Sequence, residues 1–281
     1  MAITTATLSA RAFEKIRACA YERAGISLPP EKREMVQGRV MKRLRALDLD
    51  GFEPYLHLLD GPDGEAEWVH LLDCLTTNYT RFFREPAHFD FLRDHLVPAW
   101  RQRAAATGNR AVRIWCAAAA TGEEPYTLAV LMESLLPHTE GWDVRILATD
   151  ISTRALATAV AATYATKQVA DLDPAYRPFF LPAAGDRVVV APAARERVIF
   201  RRLNLMSDHW PLRGPLQAIF CRNVMIYFDA PTQERLVNRF ATLLEPDGYL
   251  FVGLSESLTR VRHPYRTEGP GIHRRPAEIT R

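Results

Sequence analysis

The sequence lacks any long apolar run and any recognisable export signal. Its longest uninterrupted apolar stretch is the seven residues 114–120, whereas a helix that crosses a membrane needs about 20. The N-terminus does not show the charged region, apolar stretch and cleavage site of a secretory signal peptide. We therefore expect a cytoplasmic protein that does not insert directly into a membrane.

Cysteine is scarce, and its positions are scattered. The chain contains no CxxC spacing and no cysteine–histidine pattern of a zinc site. The four cysteines are Cys19, Cys74, Cys116 and Cys221. We expect reduced, packed thiols and no bound metal.

The net charge is also small, although its distribution is uneven. A formal charge of +3 on 281 residues, with 48% hydrophobic and 25% charged residues, is typical of a globular protein and gives no argument for nucleic-acid binding. Residues 1–47, however, contain ten Lys or Arg and four Glu, a net charge of +6. We expect a separate basic unit at the N-terminus that meets an acidic partner.

The first 100 residues carry only helical patterns. Ser9 fits the N-cap of a helix that runs to Arg23 and ends at Gly25. A second helix is predicted at residues 30–47, where apolar side chains recur at helical spacing. Shorter helices are predicted at residues 51–59 and 65–75.

The pattern changes after Gly108. Short apolar runs alternate with helical segments, which is typical of buried parallel strands in α/β units, and we expect an open, twisted α/β sheet. The predicted strands are residues 112–116, 144–148, 216–221 and 249–252. The predicted helices between them are residues 123–136 and 231–244. Two further β-like runs, residues 188–190 and 198–200, are assigned to a small antiparallel insertion at residues 165–200.

In such a sheet, ligands bind at the carboxyl ends of the strands. The first strand leads into AAAATGEEP at residues 117–125, where small side chains allow a ligand to approach the backbone. Thr121 and Glu124 also fit a helix capping box, which is the structural alternative for this segment. Two carboxylates beside a helix N-terminus would repel a pyrophosphate and suit a cofactor with a cationic end, and the GxGxxG motif is absent.

Two other strand ends carry candidate ligands. Asp150 closes the second strand, at the position where an acidic side chain accepts hydrogen bonds from ribose hydroxyls. A helix N-cap is the alternative role for Asp150. Asn223 follows the fourth strand and is expected to project into the crevice, while Asp229 is expected to cap the next helix.

Four ordered motifs make the sequence resemble the chemotaxis-receptor methyltransferase family, the CheR type. The motifs are TTNYTRFFREP (76–86), IWCAAAATGEEPYTLA (114–129), ATDIS (148–152) and IFCRNVMIYFD (219–229). The resemblance implies a Rossmann-like methyltransferase domain that uses S-adenosylmethionine, an N-terminal helical domain and a small inserted antiparallel β subdomain. It places the all-helical domain and its linker at residues 1–85 and the methyltransferase domain at residues 86–281. The implied activity is methyl transfer to glutamate side chains of chemoreceptors, with S-adenosylhomocysteine as the product.

The resemblance also implies roles for individual residues. Arg84 and Tyr227 are expected to flank the transferred methyl group as catalytic residues. The residues expected to bind the cofactor are Asn78, Thr80, Arg84, Glu123, Glu124, Asp150, Asn204, Leu205, Arg222 and Asn223. This chain departs from the family pattern in the alanine-rich segment before TGEE and at Leu254, where the family has a histidine.

The chemistry of a glutamate acceptor is compatible with a site that has no general base. A glutamate side chain has an ordinary pKa of about 4.3 and is already ionised at neutral pH. The enzyme must therefore align the carboxylate with the methyl group, and paired hydrogen bonds from Arg84 are suited to that task. The alternatives are a surface arginine in a helix cap for Arg84 and a buried ring with a bonded hydroxyl for Tyr227.

The basic N-terminal unit suggests how an acceptor is recruited. Lys32, Arg39 and Arg43 share one helix face and could steer the acidic cytoplasmic helices of a methyl-accepting chemoreceptor, a solvated basic face being the alternative. The insertion at residues 165–200 resembles a subdomain that, in some family members, docks a receptor's C-terminal pentapeptide by strand addition. We expect a monomer without nucleic-acid partners. Two other functions stay open: a non-catalytic module that senses S-adenosylmethionine or its product while docked on receptors, and a nicotinamide dehydrogenase.

Overall fold

The computed structural model describes residues 7–277. The start of the predicted domain at 1–85 and the end of the predicted domain at 86–281 therefore lie outside the described residues. The helices are Ala10–Ala24 (α1), Arg33–Ala46 (α2), Phe52–Asp60 (α3), Gly64–Leu75 (α4), Ala87–Phe91 (α5), Val97–Thr107 (α6), Glu123–Leu135 (α7), Thr153–Ala161 (α8), Pro192–Arg195 (α9) and Ala230–Leu243 (α10). The strands are Ala111–Cys116 (β1), Asp143–Asp150 (β2), Thr163–Ala165 (β3), Phe180–Ala183 (β4), Arg187–Val190 (β5), Val198–Arg202 (β6), Leu216–Cys221 (β7), Leu244–Val252 (β8), Arg266–Gly269 (β9) and Ile272–Arg274 (β10). None of the helices in this range is long and apolar enough to cross a membrane.

The predicted helix ends of α1 are confirmed. The Ser9 hydroxyl accepts a hydrogen bond from the Ala12 N–H at 3.1 Å, and Gly25 ends the helix with φ +68°. The second predicted helix is divided into a 3₁₀ turn at Pro30–Lys32 and α2, whose apolar stripe is buried. Helices α1 to α4, which we call the N-terminal unit, enclose a hydrophobic core of their own.

The central sheet has seven strands in the order β6-β2-β1-β7-β8-β10-β9. Strands β6, β2, β1, β7 and β8 are mutually parallel, whereas β10 runs antiparallel to both of its neighbours. Successive residues of a strand face opposite sides of a sheet, and accordingly Ile114 and Trp115 belong to two different hydrophobic cores. The sheet is therefore covered on both faces, as a parallel sheet requires.

One sequence assignment at the insertion is wrong. Residues 198–200 belong to β6, which pairs in parallel with β2 at the edge of the central sheet. The separate antiparallel sheet consists of β3, β5 and β4, in that order, so residues 163–190 span it instead of 165–200. The error has a physical reason: a short edge strand is only partly buried, and its pattern does not reveal which sheet it joins.

The N-terminal unit packs directly on the sheet unit. The Tyr21 hydroxyl donates to Asp229 Oδ2 at 2.7 Å, and the Ser27 N–H donates to the Tyr227 carbonyl at 2.8 Å. Asp229 also caps α10 as predicted, accepting from the Thr232 N–H at 3.0 Å. These contacts bring the N-terminal unit over the carboxyl ends of the central strands.

Candidate functional site

A cavity lies where the two units meet, and small-molecule sites are often found at such junctions. One wall consists of residues that follow β1, β2, β6 and β7, and the other consists of the segment after α1 and the segment after α4. The cavity occupies the position that parallel α/β sheets use for ligands. The sequence-predicted site residues that line it are Asn78, Thr80, Arg84, Glu124, Asp150, Asn204, Leu205, Arg222, Asn223 and Tyr227.

The turn between β1 and α7 brings the backbone close to this cavity. Gly122 has φ +100°, and a Cβ at this position would lie 2.6 Å from the Tyr164 hydroxyl oxygen and 2.9 Å from Ala159 Cβ. The capping box considered for this segment is absent, because the N-cap is Gly122, which has no side chain to accept from the first N–H groups of α7. Instead, the Thr121 hydroxyl donates to Glu123 Oε2 at 2.6 Å.

Glu123 is not among the residues that line the cavity, and its role as a cofactor ligand stays a prediction. Its side chain is buried and accepts hydrogen bonds from Thr121 and, at 3.3 Å, from Gln168 Nε2. Burial raises the pKa of this carboxyl. Neighbouring residues on a helix point about 100° apart, so Glu123 and Glu124 face different surroundings.

Asp150 lies between two backbone turns at the edge of the cavity. Its Oδ2 accepts from the Ala120 N–H at 2.8 Å, and its Oδ1 accepts from the Ser152 N–H at 2.9 Å. The N-cap of α8 is Ser152, whose hydroxyl accepts from the Ala155 N–H, so the capping alternative for Asp150 is wrong. Burial raises the pKa of Asp150 above its ordinary value.

This environment predicts a pH dependence of cofactor binding. Ribose hydroxyls would donate to the ionised Asp150 carboxylate, and hydrogen bonds to the charged form favour that form. Affinity should therefore be retained above the raised pKa of Asp150 and fall as pH decreases through it, approaching about tenfold per pH unit. Calorimetry with S-adenosylhomocysteine in buffers of different ionisation enthalpy should detect proton release on binding below neutral pH. In Asp150→Asn this proton release should disappear; its persistence there would contradict the assignment.

Arg222 is a buried cation in the wall of the cavity. Its side chain is 0% exposed and lies between two carboxylates, with Nη1 2.7 Å from Glu124 Oε2 and Nη2 3.0 Å from Glu85 Oε2. Nη2 also donates to the carbonyl of Arg84. The Cys116 thiol donates to Glu124 Oε1 at 2.9 Å, and burial, reinforced by Glu124, raises the pKa of this thiol. Arg222 thus connects the end of β7 to the linker that carries Arg84.

Arg84 and Tyr227 both line the cavity, and their catalytic roles stay predictions. The Arg84 Nη1 donates to the Tyr79 carbonyl at 3.0 Å, and its guanidinium carbon is 5.9 Å from the centre of the Tyr79 ring. Within residues 7–277, Arg84 forms no salt bridge, so its guanidinium remains available to an anion. Tyr227 is half-buried.

The remaining cofactor candidates lie on both walls. Asn78 Nδ2 donates to the Ser152 hydroxyl at 3.3 Å, which joins the linker to the start of α8. Asn204 donates to the Arg23 carbonyl and accepts from the Met206 N–H at 2.9 Å, while Leu205 is buried.

The three predicted docking cations differ in their surroundings. Arg43 is paired with buried Glu67 through two hydrogen bonds of 2.9 and 2.6 Å. Arg39 donates to the Leu75 carbonyl and, at 2.7 Å, to the Thr77 hydroxyl. Arg39 and Arg43 are hydrogen-bonded to other residues of the protein, whereas Lys32 is exposed. Of the three predicted docking residues, Lys32 is therefore the most accessible to a partner.

Sequence reasoning missed two carboxylates of the site, Glu85 and Glu256. Glu85 has φ +59° and contacts Arg222 and Asn223, whereas Glu256 accepts from the Asn223 N–H at 2.8 Å. The available signals were the position of Glu85 directly after Arg84 and that of Glu256 in the Gly-Leu-Ser-Glu segment after β8. Neither signal reveals a contact over such a sequence distance.

The order of strands, with an antiparallel strand inserted near one edge, departs from the all-parallel dinucleotide-binding sheet. Asp150 lies at the strand end where parallel α/β sheets bind ribose hydroxyls, and small alanine side chains after β1 leave room for a ligand. With a match to a SAM binding domain over residues 78–270, these features place the chain in the class of methyltransferases that use S-adenosylmethionine.

Comparison with known proteins assigns the chain within this class. The family model described as "CheR methyltransferase, SAM binding domain" matches residues 78–270, and "CheR methyltransferase, all-alpha domain" matches residues 11–76. The chain therefore belongs to the CheR family of S-adenosylmethionine-dependent chemotaxis methyltransferases.

Curated relatives resemble the chain over most of its length. It is 41% identical over 270 residues to the chemotaxis protein methyltransferase of Klebsiella aerogenes, covering 95% of this chain and 90% of that protein. It is 41% identical over 259 residues to a probable chemotaxis protein methyltransferase of Rhizobium etli, covering 90% and 96%. The chemotaxis protein methyltransferase of Escherichia coli is 39% identical over 271 residues, covering 95% and 91%.

Proposed function

We propose that this protein methylates glutamate side chains on the cytoplasmic helices of methyl-accepting chemoreceptors. The observation that carries the proposal is the composition of the cavity. Within residues 7–277 its lining holds the Arg84 guanidinium, which forms no salt bridge, but no histidine, lysine or cysteine. Its two carboxylates are already engaged, Glu124 by Arg222 and Asp150 by the backbone N–H groups of Ala120 and Ser152. An amine or hydroxyl acceptor would need a base to remove its proton. A carboxylate acceptor is already anionic at neutral pH, so it needs only to be held and aligned.

The residues of the cavity fit the cofactor, and we assign them separate roles in binding it and in binding the acceptor. S-adenosylmethionine, when bound, supplies the methyl group that a carboxylate oxygen receives, and S-adenosylhomocysteine is left. Asp150 offers acceptors to ribose hydroxyls, and Glu124 adds negative charge near a sulfonium. The Arg84 guanidinium would hold the acceptor carboxylate by two hydrogen bonds, with the Tyr227 hydroxyl orienting the same group. This hold must be moderate, because the carboxylate loses charge in the transition state.

The surroundings of Arg84 support a protein acceptor. Tyr79, Ile226 and Leu254 are large apolar side chains with exposed fractions of 73%, 52% and 53%. Tyr79 lines the cavity, Ile226 precedes Tyr227, and the Leu254 N–H donates to Glu85 at 3.3 Å. Exposed apolar side chains grouped around a site are typical of a protein-binding surface. They could pack beside the methylated residue of a receptor helix.

A second receptor contact is proposed at the small antiparallel sheet. Strand β4 is an edge strand of this sheet, and its Leu181 is 42% exposed. A free edge can accept an additional strand through its backbone groups. A receptor's C-terminal pentapeptide is the candidate strand.

The acceptor chemistry can be tested directly with labelled cofactor. Incubation with membranes that contain candidate receptors should label the receptors, and mild base should release the label because the product is a methyl ester. Peptide mapping should locate the label on glutamates, and a parallel reaction with Arg84→Ala is the control. Label that resists mild base would make the ester assignment wrong. Cofactor binding by calorimetry without transfer to any receptor would favour the non-catalytic sensing module.

A further inference from the structure

The loop that carries Asn223 adopts an unusual backbone conformation. Asn223 has φ +59°, in the left-handed region that side chains other than glycine adopt infrequently. The residue follows β7 directly and lines the cavity. Such a conformation persists only where the surrounding structure holds it.

Glu256 holds the main chain of this loop. Its Oε2 accepts from the Asn223 N–H at 2.8 Å and from the Gly253 N–H at 2.6 Å, while Oε1 accepts from the Ile226 N–H at 3.3 Å. The side chain is buried, and its burial raises the pKa of the carboxyl. One carboxylate therefore joins the loop after β7 to the loop after β8.

Glu85 holds the side chain of the same asparagine. Asn223 Nδ2 donates to Glu85 Oε1 at 3.3 Å, and Glu85 Oε2 lies 3.0 Å from Arg222 Nη2. Burial raises the pKa of Glu85, but the charge and hydrogen bond of Arg222 together with the hydrogen bond from Asn223 and the nearby His88 outweigh it, and the net effect is a lowered pKa. An ionised carboxylate only accepts hydrogen bonds, so the amide nitrogen of Asn223 must face Glu85. Asn223 Oδ1 is then the atom left to accept a hydrogen bond in the cavity.

Gly253 makes room for this arrangement. A Cβ at position 253 would lie 2.5 Å from Asn223 Nδ2 and 2.8 Å from Glu256 Oε2. Neither atom can retreat without breaking its own hydrogen bonds. The close approach of the two loops therefore requires glycine at this position.

We propose that Glu256 and Glu85 are positioning residues for cofactor binding: Glu256 fixes the main chain of Asn223, and Glu85 orients its amide so that Oδ1 presents an acceptor to the cofactor. This inference rests on the cofactor contact proposed for Asn223 and is independent of the methyl acceptor. Its tests therefore use S-adenosylhomocysteine alone, and a failure here would leave the proposal of receptor methylation standing.

The first test compares Glu256→Gln with Glu133→Gln. Glu133 is a matched control, since it is also buried and accepts from Arg197 Nε at 2.6 Å, but its partners Arg197 and His138 do not line the cavity, whereas the Glu256 partner Asn223 does. Both substitutions should lower the melting temperature. Only Glu256→Gln should raise the dissociation constant of S-adenosylhomocysteine in calorimetry, by at least about tenfold, since its amide NH₂ would face a backbone donor. Equal dissociation constants for the two variants would overturn the role of Glu256.

The second test exchanges the hydrogen-bonding roles of Asn223 and Glu85. In Asn223→Asp, two carboxylates face each other, and we expect the dissociation constant of S-adenosylhomocysteine to rise by at least about tenfold. In the double variant Asn223→Asp with Glu85→Gln, the amide introduced at position 85 can donate to the carboxylate introduced at position 223. That carboxylate still leaves an acceptor in the cavity, so most of the affinity should return. Absence of this rescue in a folded double variant would overturn the role of Glu85.

Discussion

Replacement of Arg84 by alanine is expected to reduce methyl transfer by about 100-fold, because the acceptor loses the group that aligns it and a displacement of about 1 Å can cost that much. Arg84 forms no salt bridge within residues 7–277, and the variant removes only a hydrogen bond to the carbonyl of the exposed Tyr79, so it should fold normally. Arg84→Lys keeps the charge but loses the paired donors, and we expect an intermediate rate. Both KM for the receptor and kcat should change, because the proposed hydrogen bonds bind the charged acceptor before the reaction and also align it.

Initial rates with saturating cofactor and varied receptor would measure this effect. Arg81→Ala is a suitable control, because Arg81 is an exposed arginine of the same linker that does not line the cavity. Cofactor affinity should be measured separately, since Arg84 is also proposed to contact the cofactor. Transfer by Arg84→Ala at the rate of Arg81→Ala would exclude Arg84 from the reaction.

Replacement of Arg222 by methionine should have the largest effect on stability. The change would leave the carboxylates of Glu85 and Glu124, which are only 14% and 11% exposed, without their fully buried cation. Removing one partner of a buried charge pair typically costs about 3–5 kcal/mol. The hydrogen bond to the Arg84 carbonyl would also be lost, so transfer should fall in the fraction that stays folded.

Arg274→Met is the matched control for this experiment. Arg274 also pairs with two carboxylates, Glu268 at 2.8 Å and Asp247 at 3.0 Å, but its side chain is 31% exposed. Solvent-screened pairs of this kind contribute at most about 1 kcal/mol. Urea unfolding of both variants would separate the two cases. A similar small loss in both variants would show that the buried network does not stabilise the fold.

Local chemistry explains the parts of the structure that the sequence could predict. The caps Ser9, Gly25 and Asp229 depend on neighbouring backbone groups, and continuous apolar runs predicted the strands that are buried on both faces. Residues 198–200 were misassigned because the choice between two sheets is a tertiary one.

The same distinction applies to the site. Strand ends and motifs predicted which residues approach the cavity, as with Asp150 and Asn223. They could not predict that Arg43 pairs with Glu67, or that Glu256 accepts a hydrogen bond from the Asn223 N–H, 33 positions away in the chain. Such partnerships arise from packing between elements that are distant in the chain, for which helical or strand periodicity carries no signal.

The cavity wall is shared between the N-terminal unit and the sheet unit, with Ile26 and Leu75 on one side and Asp150 and Leu205 on the other. A ligand that contacts both sides stabilises the arrangement of the two units, since it binds in full only when both walls of the cavity are in place. Cofactor occupancy should therefore slow hydrogen exchange at the junction around Ser27 as well as in the cavity. We therefore expect that a bound methyl donor also restricts the motion of the unit that carries Lys32, the residue predicted to dock the receptor.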